Sequence, residues 1–516
     1  MTKYSDLEYL RLPKGKKILY KIMCFFCGIP LFFWNLIKKI GSFFAKAGKA
    51  VAHEVADIIL TFKNGSFATR MSYIIMGFGS LQRGQILRGI LFMLMEIVFI
   101  GYMIFFGGYW LGMLPSLGKL GPTEVATEVQ GRRGTNIVYT TVYNDNSFKI
   151  LLYGVLTLFF IIAFIYTWRV NIRQNKINDQ IVRSGKKVKS TGDDMRSLVD
   201  NNFHKTLLAL PSLGILIFTV LPIIFMILVA FTNYDGTHNG YSNNLFHWMG
   251  LDNFNEMLNW SSGATTYSAT FAEVLVWTLI WAFFATFTNY FLGMLVAMAI
   301  NKKGIKFKKG WRTVLVLTIA IPQFISLLYV SKMFARNGIV NNLLMDFGWI
   351  DQAHLIDFWG EPTLARITVI VINIWIGIPY LMLITTGILM NIPADLYESA
   401  KIDGANPWQQ YTKITLPYML FVTGPYLLTS FTGNMNNFNV IYLLTGGAPT
   451  NNTSSAPGTV GYTDLLITWL FKITQGAESK YYLASVVGIL VFVVVAVISL
   501  VVYNLLPSIK NEEDFQ

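Results

Sequence analysis

The stretch Tyr397-Glu398-Ser399-Ala400-Lys401-Ile402-Asp403-Gly404-Ala405-Asn406-Pro407, which closes on Ile414-Thr415-Leu416-Pro417, is polar and charged, yet it lies between two long hydrophobic runs at 365–390 and 418–443. Each run is long enough to cross the hydrocarbon core as a helix. A polar loop so placed is a connection between two membrane helices, and the chain reads as an all-α integral membrane protein. Within the loop, Pro393-Ala394-Asp395 opens a short helix that carries Leu396, Tyr397, Ala400 and Lys401 to about Gly404. Gly404 supplies a backbone conformation closed to other residues, and Asn406-Pro407 has the form of an N-cap followed by proline at the first position of a second short helix. Leu416-Pro417 is expected to turn the chain back into the membrane. The small residues Ser399, Ala400, Gly404 and Ala405 leave the first helix a face free of bulk, and Glu398 and Asp403 set charges beside it.

Composition agrees. The 516 residues are 53% hydrophobic and only 13% charged, whereas soluble domains carry about 25% charged residues. The net charge of +13 comes from basic blocks beside hydrophobic spans, where it serves orientation and anionic headgroups and not nucleic acid. Cys24 and Cys27 are the only cysteines; without a second ligand pair or a βαβ context they are packing or lipid-facing side chains, and no metal site is expected. The first apolar stretch follows a basic run and lacks a small-residue cleavage site, so the N-terminus is expected to stay in the cytosol. No catalytic constellation is found, and no G-x-x-x-x-G-K-[ST] segment occurs, so no cofactor is expected on this chain.

Eight windows satisfy the length and apolarity of a spanning helix: 88–111, 149–168, 206–231, 271–300, 313–333, 365–390, 418–443 and 483–506. The segment 169–205 carries nine Lys or Arg residues from Arg169 to Lys205, 232–270 carries none, and 301–312 carries Lys302, Lys303, Lys306, Lys308, Lys309 and Arg312. The positive-inside bias makes the two basic loops cytoplasmic and the bare one external. Both termini then face inward, and 391–417 lies in the cytosol. Residues 22–37 are apolar but short and are flanked by lysines on both sides, which favours a helix lying in the inner interface over a ninth crossing. Val51, Val55, Ile58, Ile59 and Phe62 continue an amphipathic pattern on the same surface. The external loops 112–148, 232–270, 334–364 and 444–482 exceed ordinary connections and are expected to be structured, as a landing surface for an external partner. The expected division is a basic interfacial region 1–87, two accessory spans with a cytoplasmic loop 88–205, a core 206–506, and a tail 507–516.

Glu398, Ala400, Gly404, Ile414, Leu416 and Pro417 match in order and spacing the EAA signature of permease subunits in bacterial ABC importers, with Ser399 in place of the second alanine. The chain further resembles the MalF-type permease subunits of maltose and maltodextrin importers. Ala230 to Tyr234, Asn373 to Tyr380, Asp395 to Glu398, Asn436-Asn437-Phe438 and Gly461 to Leu466 carry this likeness, which covers roughly 206–506 and is most specific over 365–470. The resemblance implies the type I importer permease fold and docking of a separate ATPase at Glu398, Ser399, Ala400, Asp403, Gly404, Ile414, Leu416 and Pro417. Its implied partners are a second, MalG-type permease subunit, two ATPase subunits that use ATP and Mg, an external sugar-binding protein, an oligosaccharide and membrane lipids. The large external domain of the enterobacterial subunit is absent here.

Positions matching Asn373, Ile376, Gly377, Tyr380, Asn434 and Asn437 line the sugar site in the resembling family, and Gly433 stands where that family has an aromatic residue that stacks on sugar. Physical reasoning points the same way, because sugars need amides for paired hydroxyl contacts and an aromatic face for the ring. Asn373, Gly377 and Tyr380 share one helical face. The competing reading is that these asparagines tie helices together. An ion- or proton-coupled sugar transporter is the rival from another class; its span-embedded ionisable candidates are few, chiefly Glu96 and Glu273. A non-transporting receptor or scaffold is a third reading.

Overall fold

The computed structural model describes residues 13–505 except 122, 132–133, 143, 240–243, 260–266, 303, 453–458 and 476–478. The 507–516 tail, Lys303 and the centre of the 444–482 loop lie outside the described residues. Seven helices are long and apolar enough to span a membrane: Ile86–Met113, Ser147–Arg183, Phe203–Val229, Tyr267–Asn301, Pro362–Leu389, Pro407–Met435 and Tyr481–Asn504. The remaining expected window is a bent pair, Lys308–Ala320 and Gln323–Met333, which meet at 90°. Counting the pair as the fifth span gives eight, numbered here in chain order. The bend falls at Ile321-Pro322, both extended in ψ, because proline cannot return an N–H to the preceding turn and its ring excludes helical geometry from the residue before it.

Three expected boundaries change. The second span continues as helix to Arg183, well past 168. The apolar window 418–443 is interrupted at Asn436-Asn437; the Asn437 side chain accepts from the Val440 N–H and starts a separate helix, Phe438–Leu444. The N-terminal region forms one helix, Lys14–Asn64, where separate interfacial segments were expected. The one sheet among the described residues is a hairpin in the 112–148 loop, Thr123–Gly131 paired antiparallel with Gly134–Val142.

The chain divides into two compact units. The first comprises residues 1–113 and 152–221, the second 114–151 and 222–516. The boundary between these units falls inside the third span, and residues 114–151 group with the second unit. In the first unit, Arg83 donates to Asp179, Asn175, Ser66 and Thr69 at 2.7–3.1 Å. Asn171, Asn175 and Asn178, buried on one face of the second span's extension, hydrogen-bond the short segments after Asn64. Several of the basic residues that orient the chain are therefore already paired: Arg169 with Glu54 and Asp57, Lys176 with Asp57. Hydrogen bonds from Lys176 and Arg169 hold the Asp57 carboxyl below its ordinary value. Glu96 accepts the Met76 N–H at 2.8 Å.

In the second unit the fourth span is the central helix. Only 6% of the apolar window of the first and third spans is buried, against 39% for the fourth and sixth, so the protein core is built around the latter pair. A Cβ on Gly293 would stand 2.7 Å from Leu381 and one on Gly377 would stand 2.3 Å from the Asn289 amide. Glycines thus let the two backbones approach, which is how helices associate where lipid offers no hydrophobic driving force.

Candidate functional site

The bend in the fifth span opens a cavity of about 340 Å³, lined by residues 318–323 and by Ser326, Trp375, Ile376 and Tyr380, at the small end of ligand-site volumes. Its polar equipment has three sources. Gln323 and Ser326 contribute side chains. The helix Gln323–Met333 begins at the cavity, where the Gln323 and Phe324 N–H groups have no partner within their own helix, while those of Ile325 and Ser326 reach the Pro322 carbonyl. Pro379 lies within the sixth span and has no N–H to return to the carbonyl of Trp375, leaving a main-chain acceptor beside Trp375 and Tyr380, whose rings are each half exposed.

The seven residues expected at a sugar site separate into three groups. Ile376 and Tyr380 line the cavity. Asn373 and Gly377 face the fourth span: Asn373 is buried with its Nδ2 unpartnered, and Gly377 packs on Asn289, whose Oδ1 is also buried and unpartnered. Asn434 donates to Thr286 Oγ1 at 3.0 Å, and its carbonyl receives Trp281 Nε1 at 3.1 Å, so it ties the seventh span to the fourth. Asn437 approaches Asn434 at 3.4 Å and caps the next helix. Gly433 is exposed, and a Cβ there would meet nothing within 4 Å. Sequence reasoning missed Gln323, Ser326 and Asn289. An uncharged amide deep in an apolar span is the signal that singled out Asn373, and it applies equally to Asn289.

The loop 391–417 has two joined parts. The helix Ala394–Ile402 starts after Pro393, with Asp395 in its first turn and Lys401 in its last, both favourable to the helix dipole. Gly404 has φ +76°, its N–H reaches the Lys401 carbonyl at 3.0 Å, and the Ala405 N–H reaches Ala400 at 2.8 Å. These bonds form a Schellman cap, with a left-handed residue one past the helix end. The cap gives the spacing between Ala400 and Gly404 a physical reason. Asn406 then forms a reciprocal capping box with Gln409, and Pro407 occupies the first turn. The second helix is not short: it runs unbroken through Met435 as the seventh span. Leu416-Pro417 is accordingly no turn. A π-turn over Tyr411–Thr415 precedes it and absorbs the misfit of a proline inside a helix. Glu398, Ser399, Asp403, Gly404 and Pro417 are exposed, and Ala400, Ile414 and Leu416 half-buried. Two large apolar side chains stand in the open beside them, Ile402 at 87% and Trp408 at 70% exposure.

At the other end of the spans, the Gly461–Leu466 segment is a structural cap. Arg366 stacks between Trp277 and Tyr462, 4.7 and 5.8 Å from their ring centres, and donates to the Tyr462 carbonyl at 2.7 Å. Asp464, fully buried, accepts from the Gly461 N–H, Thr468 and Lys472. Burial pushes its carboxyl above the ordinary value, although Lys472 pulls the other way.

A bundle of spanning helices with a broken helix at its cavity, and a capped helix exposed between two spans, define a multi-pass membrane permease. The chain belongs to the family of binding-protein-dependent transport system inner membrane components. That family's description matches residues 289–511. The maltodextrin transport system permease protein MalC of Streptococcus pneumoniae is 33% identical over 446 residues, 85% of this chain and 96% of that protein. The galactooligosaccharides transport system permease protein GanP of Bacillus subtilis is 32% identical over 441 residues, 85% and 97% of the two chains. The maltose/maltodextrin transport system permease protein MalF of Escherichia coli is 34% identical over 234 residues, 45% and 44% of the two chains. The chain is thus a permease subunit of an ABC importer with the type I fold.

Proposed function

We propose that this permease forms half of the pathway for a malto-oligosaccharide, with a MalG-type subunit as the other half, and that it is driven by ATP hydrolysed on two separate ATPase subunits. The observation that carries the proposal is one run of chain: the sixth span places Ile376 and Tyr380 at the cavity and, after about 20 Å of helix and a short turn, leads to the exposed helix Ala394–Ile402. An ATPase groove would receive Glu398, Ser399, Ala400, Asp403 and Gly404, with Ile402 and Trp408 as apolar anchors of the kind that dominate interfaces. Charge bias supports a cytosolic position for this helix and for both termini, in the plasma membrane.

In this scheme an external binding protein delivers the sugar to the long outer loops, closure of the ATPases turns the cavity outward, and their reopening releases the sugar inward. Trp375 and Tyr380 offer ring faces and Gln323 and Ser326 offer hydroxyl partners at the cavity. Asn373 and Asn289 are buried, Asn434 and Asn437 are engaged in ties and a cap beside the cavity, and exposed Gly433 leaves room for further sugar units. The apolar side chains Phe43, Phe44, Val51, Val55 and Ile59 are exposed between lysines, in keeping with an N-terminal helix that rests on anionic lipid. MalC supports maltodextrin as cargo. GanP, nearly as similar over the same share of the chain, favours a second reading, another oligosaccharide. Uptake of labelled maltotetraose and of a labelled galacto-oligosaccharide, measured side by side, decides between them: saturable uptake of the malto-series alone supports the proposal, and saturable uptake of the galacto-series alone overturns it.

A further inference from the structure

A side-chain hydrogen bond ties the helix Ala394–Ile402 to the base of the seventh span. Tyr397 Oη lies 2.8 Å from Thr415 Oγ1. Among the described residues this is the one side-chain hydrogen bond that leaves the helix for another element. Tyr397 and Ala400 are the half-buried residues of a helix whose other side chains are exposed, and Thr415 is 4% exposed. Thr415 is the last residue of the π-turn, directly before Leu416-Pro417.

From Thr415 the route into the core is short. Met419, one turn on, is fully buried in a cluster with Met294 and Leu381, against which Leu416 and Tyr411 also pack. Thr423, one further turn on, donates to Tyr290 Oη of the fourth span at 2.8 Å. Leu381 is the neighbour of Tyr380, which lines the cavity. The exposed helix therefore reaches the cavity wall twice: along the sixth-span backbone, and through Tyr397 and Thr415 into the base of the seventh span.

We infer that Tyr397 and Thr415 form a latch that makes the two spans answer together when the exposed helix is displaced. With the latch closed, the helix cannot rotate about its links to the sixth span without carrying the π-turn, and Met419 with it. With the latch open, the sixth span moves alone and Met419 slips against Leu381. Tyr397 is thus a positioning residue for the coupling of ATP hydrolysis to cargo movement, acting through Thr415 and not on the sugar. The inference rests on the reading of this helix as the ATPase contact.

The test uses the complete transporter in vesicles, measuring ATP hydrolysis and sugar imported in the same preparation. Tyr397→Phe keeps the ring and removes the hydroxyl. The expected result is retention of the ATPase subunits, hydrolysis within about twofold of the parent and a five- to tenfold drop in sugar imported per ATP, on the order of one lost hydrogen bond. Thr415→Val should match it, Thr415→Ser should restore coupling, and the double variant Tyr397→Phe/Thr415→Val should be no worse than either single one. An unchanged ratio in Tyr397→Phe, or a Thr415→Ser variant as uncoupled as Thr415→Val, overturns the latch. So does loss of the ATPase subunits from Tyr397→Phe, which would make the tyrosine a folding or docking residue. Failure of the underlying reading looks different: the parent chain itself would then retain no ATPase.

Discussion

Replacing Gly404 tests the cap at the end of the exposed helix. Its φ of +76° lies in the left-handed region, which costs an ordinary L-residue about 1–2 kcal/mol. A Cβ at this position meets nothing within 4 Å, so no steric term adds to that figure, and the whole effect of Gly404→Ala is conformational. A cost of this size raises the open-to-closed ratio of the cap about 5- to 30-fold. The Ala405 N–H, bonded to the Ala400 carbonyl at 2.8 Å in the closed cap, reports it directly: hydrogen–deuterium exchange of the Ala405 amide should quicken by the same factor. ATPase retention and uptake at matched permease levels should fall in step. Gly404→Asn should cost less, because asparagine visits the left-handed region more readily. Equal exchange in parent and Gly404→Ala, or a milder effect from alanine than from asparagine, would refute the reasoning.

Other substitutions probe the spans and the outer cap. Gly377→Ala places a methyl 2.3 Å from the Asn289 amide and should destabilise the pairing of the fourth and sixth spans by about 1–3 kcal/mol; adding Asn289→Ala should return most of the lost thermal midpoint. Gly433→Phe faces open space, so the protein should fold normally while uptake shifts among oligosaccharide lengths, read by competition between short and long chains. In the outer cap, burial raises the Asp464 carboxyl above 3.8, so the folded cap holds that proton more firmly than the unfolded chain does. Its contribution to stability is full below 3.8 and declines as pH rises through the folded value. Thermal midpoints across that range should show this decline in the parent and less of it in Asp464→Asn. Lys472→Met strips the buried carboxylate of its partner, 2.6 Å away, and should cost about 3–5 kcal/mol at neutral pH.

The elements that were legible in the sequence are those specified locally. Apolar windows located the spans because length and hydropathy alone decide whether a helix can cross. The helix from Ala394, its left-handed Gly404 and the Asn406-Pro407 cap followed from residue types whose preferences act within one turn. What local rules could not decide is how proline is accommodated. Pro322 breaks a helix by 90°, whereas Pro417 and Pro379 remain inside continuous ones. A π-turn rescues Pro417 and Pro379 is buried within the protein, and neither is written in the neighbouring residues. The Arg83 network joins side chains as far as 96 positions apart, beyond any local pattern. At the cavity, the resemblance pointed to Ile376 and Tyr380, but Gln323 and Ser326 reach them only through the unforeseen bend.

The central claim is that an ATPase moves sugar through this permease, and vesicle uptake of labelled maltotetraose tests it most directly. With the second permease, the ATPase subunits and the binding protein reconstituted, uptake should require ATP on the ATPase side and should persist when the proton gradient is collapsed. Uptake by the permease alone, driven by a proton gradient with no ATPase present, would contradict the account.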